Sequence, residues 1–274
     1  MSKQNFWSSV LTPKDVGSGV PSAIKSAARA LRVLEFFAEI RRGARANEIA
    51  ERLEMPQSST SVLLASLVKL NYLDFDYTTH TYQPTLRVAM LGAWLDTGPF
   101  RDGSMLQMLE RVADETSGLV SLSQGNDIYV RYLHVIQSHN QALHLSLALR
   151  RYIVWSSAGI SLLVGRSETE IKKLVAITRA QDDPLVDQIK FEEVLKMVRE
   201  AEQQGYFFSR GMVTEGMGTI SMRLPASLTS SQGPLVFGIG GRLEVLERSE
   251  KTIVEQMRGE LDKLERDRRR FQQG

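Results

Sequence analysis

A cluster of polar, uncharged side chains stands at the start of one short helical pattern. It consists of Gln57, Ser58, Ser59 and Ser61. Amide and hydroxyl groups donate and accept hydrogen bonds, so an exposed helix start that carries them can contact base edges in the major groove of DNA. The same pattern would also fit an ordinary helical bundle, so the elements around the cluster must decide between the two interpretations.

Catalytic and metal chemistry have little support in this chain. The histidines are His80, His134, His139 and His144, and no two of them flank an acidic residue at the i, i+4 spacing of a zinc-binding helix. No serine lies in a G-x-S-x-G turn, and the glycines of 238–241 lack the rest of a dinucleotide-binding motif. We therefore expect solvated or structural histidines, no enzyme activity, no cofactor and no metal.

Two short helical patterns, separated at Met55 and Pro56, position the polar cluster. The residues expected to share an apolar face are Ile49, Ala50 and Leu53 in the first pattern and Leu63, Leu67 and Leu70 in the second. Asn47 is the expected N-cap of the first helix. This is the layout of a helix-turn-helix, in which the second helix enters the major groove.

The segments on either side of this motif complete a winged helix. A longer helix is expected from Ser22 to about Gly43, with an apolar stripe at Ile24, Ala28, Leu31, Leu34 and Phe37. After the motif, Leu73 and Phe75 alternate with acidic residues and Tyr82 follows a polar turn, which predicts a β-hairpin. Because an ordinary bundle does not need this hairpin, the pattern favours DNA binding.

The second half of the chain mixes helical and strand patterns in a way typical of an α+β domain. Helices are predicted at 103–117, 156–165, 169–178, 191–204 and 243–271. Strands are predicted at 119–124, 128–136, 143–148, 206–209, 218–224 and 235–240. The turn Gly125-Asn126-Asp127 predicts that the first two strands pair antiparallel. We expect a mainly antiparallel sheet with helices packed on it.

Length and composition indicate a globular protein of two domains. The chain has 274 residues, 42% of them hydrophobic, and a net charge of only +2. No apolar run approaches the roughly 18 residues that span a bilayer, no signal peptide is recognisable, and the lack of cysteine is compatible with a reducing cytoplasm. The expected parts are a flexible N-terminal arm at 1–21, a winged helix-turn-helix at 22–84, a linker helix at 85–98 and a second domain at 99–274.

Several sequence segments occur in a characteristic order along most of the chain. They are 22–37, Glu48-Ile49-Ala50, Met55-Pro56, 63–67, Asn71-Tyr72-Leu73, 83–87, Gln204-Gly205-Tyr206, 216–221 and Ile239-Gly240-Gly241. In this order and spacing they resemble the isocitrate lyase regulator (IclR) family of bacterial transcription factors. The resemblance implies a DNA-binding regulator that forms homodimers or tetramers, with a second domain similar to the GAF-like small-molecule sensor fold.

The resemblance also implies an effector pocket between the sheet and a loop-helix element of the second domain. The matching positions are Ser156, Ser157, Ala158, Ser209, Thr219, Gly238 and Gly240. A helix N-terminus with free N–H groups suits a carboxylate, so a small organic acid is the expected effector. Relatives often have Lys where this chain has Ile160, and relatives that bind small keto acids have hydroxyls where this chain has two glycines on its last strand. The pocket should therefore be roomier and less polar, which favours an aromatic or bulky acid.

The recognition helix departs from the family pattern at Val62, where Arg is common, and the turn after it departs at Asn71, where Gly is common. Asn tolerates the left-handed conformation, so the turn is expected to survive. The loss of Arg shifts the expected groove contacts to the polar cluster. Candidates for phosphate contacts are Arg41, Arg42, Arg45 and Lys69, although a solvated surface explains these residues equally well.

Two other functions remain open. The chain could be a constitutive DNA-binding or architectural protein with a filled pocket, or an enzyme that carries a winged-helix module. Arg150, Arg151, Tyr152 and Trp155 directly precede the helix predicted at 156–165. They could close the pocket, or they could be surface charges and core aromatics.

Overall fold

The computed structural model describes residues 24–92, 98–100, 102–137, 150–229 and 233–273. The chain divides into two compact units between residues 96 and 97. The arm predicted at 1–21, the strand predicted at 143–148, and His139 and His144 lie outside the described residues. Within the described ranges, no helix is long and apolar enough to cross a membrane.

The first unit is a helix-turn-helix followed by an antiparallel hairpin, as the sequence predicts. Its elements are α1 (Lys25–Ile40), α2 (Ala46–Arg52), α3 (Gln57–Lys69), β1 (Leu73–Asp76), β2 (Thr81–Pro84) and α4 (Leu86–Met90). In the hairpin Phe75 lies opposite Tyr82, and their ring centroids are 4.7 Å apart. Asn71 has φ +59°, which confirms the left-handed turn expected after α3.

The buried face of α1 agrees with the predicted stripe only in part: Phe37 is buried as expected and Leu34 is partly buried against the core. The helix buries Val33, Phe36 and Phe37, whereas Ile24 and Leu31 are 73% and 61% exposed. The rings of Phe36 and Phe37 pack edge to face at 5.3 Å, and both are buried. Because aromatic side chains bury more area than the aliphatic ones of the stripe, burying both rings sets the rotation of the helix.

The faces of α2 and α3 are partly as predicted. Ile49, Ala50 and Leu53 are buried as expected. The N-cap of α2 is Arg45 instead of Asn47, because the Arg45 carbonyl already accepts the Ile49 N–H at 3.1 Å.

On α3 the buried residues are Thr60, Leu64 and Leu67, whereas Leu70 is 58% exposed and Leu63 is only partly buried. The hydroxyl of Thr60 donates to the Pro56 carbonyl at 3.1 Å. This bond satisfies the hydroxyl, so a polar residue can take part in the buried face and the face is rotated from the predicted one.

The linker predicted at 85–98 contains the short helix α4. The hydroxyl of Thr85 caps it by accepting the Arg87 N–H at 3.2 Å. None of the α4 residues is buried, and Leu86 and Met90 are 84% and 70% exposed. Residues 93–97 lie outside the described ranges, so the rest of the linker stays a prediction.

The second unit contains one six-stranded sheet in which all strand pairs are antiparallel, with the order β5-β4-β3-β8-β7-β6. The strands are β3 (Leu119–Asn126), β4 (Tyr129–Gln137), β5 (Arg150–Tyr152), β6 (Phe207–Arg210), β7 (Met217–Arg223) and β8 (Leu235–Arg242). The helices are α5 (Ser104–Thr116), α6 (Ser157–Leu163), α7 (Glu168–Arg179), α8 (Phe191–Gln204) and α9 (Leu243–Gln273). The sequence predicts each of these elements within a few residues, except β5.

Helices cover both faces of the sheet. On one face Phe237 and Ile239 of β8 pack with α5 and α9. On the other face Val236 of β8 and Phe207 of β6 pack with α6, α7 and α8. Successive residues of a strand point to opposite faces, so each strand contributes to both cores.

Helix α6 lies against the preceding turn with no room for a side chain at Gly159. A Cβ atom at this position would be 2.0 Å from the Ile153 carbonyl oxygen. Gly259 in α9 has nothing within 4 Å of the same position and is exposed.

We expect Gly159→Ala to lower the free energy of unfolding by at least about 2 kcal/mol, because backbone must move to admit the methyl group. The matched change Gly259→Ala should raise it by about 0.5–1 kcal/mol, because Ala favours helix. Urea denaturation of both full-length variants measures these effects. Equal stability of the two variants would contradict the close approach of α6.

Candidate functional site

The leading end of α3 presents the predicted polar cluster. Gln57, Ser58, Ser59 and Ser61 are all exposed, and Val62, which follows them, is 69% exposed. The hydroxyl of Ser61 donates to the Gln57 carbonyl at 3.0 Å, which leaves its lone pairs as acceptors. This surface can offer short hydrogen bonds and one apolar contact to DNA, but no charge. Contact of these residues with DNA stays a prediction.

The four basic candidates are all exposed, but they are not equivalent. Arg42 forms a two-point ion pair with Glu48, in which Nη1 donates to Oε2 at 3.1 Å and Nη2 donates to Oε1. This hydrogen bonding holds the pKa of the Glu48 carboxyl below its ordinary value. Arg41 ends α1 in the left-handed conformation, Arg45 caps α2, and Lys69 lies in the last turn of α3. Arg42 would have to leave Glu48 to bind a phosphate.

All seven residues predicted to contact an effector lie on the wall of one cavity of about 120 Å³. Ser156, Ser157 and Ala158 begin α6, and the other four belong to β6, β7 and β8. Thr219 lies opposite both Ser209 and Gly240, and directly opposed residues of antiparallel strands share a face. The fold thus brings together residues that are up to 84 positions apart (240 − 156) in the chain. Effector binding by them stays a prediction.

The serine hydroxyls at the start of α6 hold the helix in place. The Ser156 hydroxyl donates to the Tyr152 carbonyl at 2.9 Å and accepts the Gly159 N–H at 3.2 Å. The Ser157 hydroxyl lies 2.8 Å from the Thr219 carbonyl oxygen and 2.7 Å from the hydroxyl of Ser221. These hydroxyls are therefore less available to a carboxylate than the sequence suggests, although both residues line the cavity.

Further wall residues were not predicted to contact an effector. They are Leu119, Ser121, Tyr132, Arg151, Val213, Thr214, Met217, Gly218 and Gly241. Strand alternation carries a signal for Leu119 and Ser121, which are two residues apart and share a face. Tyr132 has no comparable signal, because an irregularity between Leu122 and Ser123 breaks the alternation of β4 between Tyr132 and His134.

Arg151 and Tyr132 are the ionisable members of the wall among the described residues. Burial lowers the pKa of the Arg151 guanidinium, and burial raises the pKa of the Tyr132 hydroxyl. Tyr152, the next residue in the chain, does not line the cavity, and its hydroxyl donates to the Asp183 carboxylate at 3.0 Å. Of the four residues before α6 that could close the pocket, Arg151 is the one that lines the cavity.

Comparisons with known proteins agree with this architecture. Residues 26–76 match the family model of the IclR helix-turn-helix domain. The Pca regulon regulatory protein of Pseudomonas putida is 23% identical, over 75% of this chain and 70% of its own length. An IclR family transcriptional regulator from Brucella abortus has a similar fold, with 23% identity and a TM-score of 0.51 over 89% of this chain and 92% of that one. An IclR homolog from Microbacterium hydrocarbonoxydans, solved in complex with 4-hydroxybenzoate, is 19% identical. Its TM-score is 0.53, and the match covers 89% of this chain and 99% of that one.

A winged helix-turn-helix unit joined to an antiparallel α+β unit defines a DNA-binding transcriptional regulator. Residues 26–76 match the IclR helix-turn-helix domain, and the chain has the same fold as solved IclR family transcriptional regulators.

Removing the carboxylate of Glu48 tests whether Arg42 can bind a DNA phosphate once it is released from its ion pair. We expect Glu48→Gln to tighten binding to a random-sequence 30-base-pair duplex about threefold in low salt, since an exposed ion pair is worth ~0.2–1 kcal/mol. The slope of log affinity against log salt should steepen by about 0.9, for one more phosphate neutralised. Fluorescence anisotropy of full-length protein measures both quantities.

The matched control is Glu51→Gln, which removes the same charge from the exposed surface of α2 and leaves the Arg42–Glu48 pair in place. If this control tightened DNA binding as much as Glu48→Gln, the effect would come from net charge and the release of Arg42 would be refuted.

Proposed function

We propose that this chain is a ligand-responsive transcriptional regulator that senses a small organic acid, with an aromatic acid favoured. The cavity beside the start of α6 carries the proposal. It lies in the unit that does not contain the DNA-binding motif, and it gathers the positions at which the family is expected to bind effectors. A separate binding site is the first requirement for regulation of DNA binding by a ligand.

The size of the cavity supports a ligand built around one ring. Its volume of about 120 Å³ approaches the roughly 150 Å³ of an engineered cavity that binds benzene. Gly238 and Gly240 contribute no side chain on the β8 side, where larger residues would fill the space. The 4-hydroxybenzoate complex of the Microbacterium relative supports the same class of ligand.

The proposed mechanism couples the two units in a homodimer or a tetramer that is a dimer of dimers. Two recognition helices would contact half-sites separated by about 34–36 Å, one turn of DNA, or by a multiple of it. The effector would favour one relative arrangement of the DNA-binding units through the linker that includes α4. A ligand shifts such an equilibrium only by its difference in affinity for the two states.

Binding without turnover is the proposed role of the cavity. Among the described residues there is no group of three or more His, Cys, Asp or Glu side chains that could hold a metal ion. The described cavity wall contains no His, Cys, Asp or Glu to serve as general base or nucleophile partner. A bound acid that is recovered chemically unchanged would support this role against that of an enzyme.

Placing negative charge on the leading end of α3 tests the proposed DNA contacts. We expect the double variant Ser58→Glu, Ser59→Glu to lose at least about 100-fold in affinity for duplexes that the wild-type protein selects from a random library, because carboxylates repel phosphates and cannot donate hydrogen bonds. Gel shift and anisotropy measure the loss. The control, Thr169→Glu with Gln203→Glu, adds the same charge at exposed positions of α7 and α8. Undiminished binding by the α3 variant, with its fold intact, would refute the assignment.

Thermal unfolding tests the proposed effector class. We expect 4-hydroxybenzoate or benzoate, at about 100 times its Kd, to raise the Tm of the full-length protein by about 5–10 °C, since binding at this ratio contributes ~2.7 kcal/mol. Pyruvate at the same concentration should raise it much less, because it leaves the cavity partly empty and therefore binds more weakly. Gly240→Val, which fills the cavity, should abolish the shift. If no acid in a broad panel stabilises the wild-type protein, a constitutive DNA-binding protein becomes the better interpretation.

A further inference from the structure

The cavity contains one positive charge and no negative charge among its described wall residues. Arg151 is the charged member of the wall, which includes no Asp or Glu. In the described part of the chain the guanidinium has no ion-pair or hydrogen-bond partner, and its one electrostatic neighbour is Tyr132. The segment 138–149, which precedes β5, contains no acidic residue that could supply one. Burying a cation without a counter-charge costs free energy, and an anionic ligand would remove this cost by supplying the counter-charge.

The register of β5 directs Arg151 toward the cavity. Arg151 lies opposite Val130 of β4, whose side chain is fully buried in the core formed with α6, α7 and α8. The preceding residue, Arg150, therefore points to the other face. It is exposed, and its guanidinium carbon lies 5.8 Å from the centre of the Tyr129 ring. Two adjacent arginines thus have different environments, and only the second lines the cavity.

Tyr132 supplies a second polar group beside Arg151. It lies two residues after Val130 on β4, so it shares the face of Val130 and Arg151. Its hydroxyl can donate a hydrogen bond to an anion, and its ring adds apolar wall. The start of α6 is less suited to this task, because the Ser156 and Ser157 hydroxyls are engaged in holding the helix.

We propose that Arg151 binds the carboxylate of the effector, with the Tyr132 hydroxyl as its second contact, and so restricts the cavity to anionic ligands. The proposal rests on the proposed sensing function and names its charge-selecting residue. The planar guanidinium matches a carboxylate with two parallel hydrogen bonds. The apolar body of the acid then occupies the space beside Gly238 and Gly240.

Matched acids and amides test the selection of charge. The probes are benzoate, 4-hydroxybenzoate and phenylacetate, each paired with its primary amide, titrated into the full-length protein by calorimetry. Wild-type protein should prefer each acid that it binds over the amide of the same shape. Arg151→Met should weaken acid binding about 10- to 100-fold, the usual range for charge-assisted hydrogen bonds, and leave amide binding unchanged or stronger. Tyr132→Phe should weaken acid binding by a smaller factor.

Arg150→Met is the control, because it makes the same chemical change one residue away on the opposite face. Its preference for acid over amide should equal that of wild type. If Arg151→Met binds the acids as tightly as wild type, Arg151 is not the carboxylate contact and the sensing function stands without it. If wild-type protein binds none of the probes, both the proposed class of effector and the role of Arg151 are refuted.

A second measurement separates a binding role from a structural one. Without ligand, Arg151→Met should unfold at the same temperature as wild type or higher, because it removes an unpaired half-buried charge. A lower Tm together with undiminished acid binding would mean that Arg151 serves the fold alone, which overturns the proposal. Should Arg151→Met not fold, Arg151→Lys keeps the charge without the planar fork and should bind the acids about fivefold more weakly. Unchanged binding by that variant would also overturn it.

Discussion

The close packing of α6 against the sheet is the constraint on which the cavity depends. Gly159 lets the first turn of α6 meet the Ile153 backbone, and the hydroxyls of Ser157 and Ser161 both bond to Ser221 on β7. These contacts fix the distance between the first turn of α6 and the sheet. Beside this point β8 presents Gly238 and Gly240, which cannot fill the gap. The space therefore follows largely from a closely packed helix next to strand positions without side chains.

The sequence predicted the elements better than their orientation, for physical reasons that particular residues make clear. Regular periodicity and turn residues located the helices and strands, and Asn71 adopted the left-handed turn expected for it. The rotation of α1 depends on which of two overlapping apolar faces finds a partner, and burial of Phe36 beside Phe37 leaves Ile24 and Leu31 of the predicted stripe exposed. The cavity residues followed from the family resemblance, whereas the direction of Arg151 depends on the register of β5 with β4. A three-residue strand carries no periodic signal that could reveal this register.

The proposed DNA-binding surface combines an uncharged edge of α3 with basic residues that differ in how free they are to bind phosphate. The α3 edge carries hydroxyls, an amide and the exposed Val62, so it suits short hydrogen bonds and contact with a thymine methyl group. Affinity must then come largely from phosphate contacts outside the edge. Because Arg42 is bound to Glu48, one of these contacts would require an ion pair to be exchanged. Such an exchange gives little net energy at an exposed site, which is consistent with a regulator that must release DNA as well as bind it.

The order of residues between β5 and α6 suggests how an occupied cavity would act on the rest of the unit. Arg151 lies at one end of a stretch of six residues and Ser156 at the other, with one 3-10 turn at Ile153–Trp155 between them. The middle of this stretch is fixed, because Ile153 donates to the Ile128 carbonyl at 2.8 Å and Tyr152 bonds to Asp183. A carboxylate on Arg151 would neutralise the charge at the β5 end, while the body of the ligand contacts the α6 end. The binding energy would then act on the segment that joins the edge of the sheet to the helix. The difference in the ligand's affinity for the two arrangements of the protein limits how far this energy can shift DNA binding.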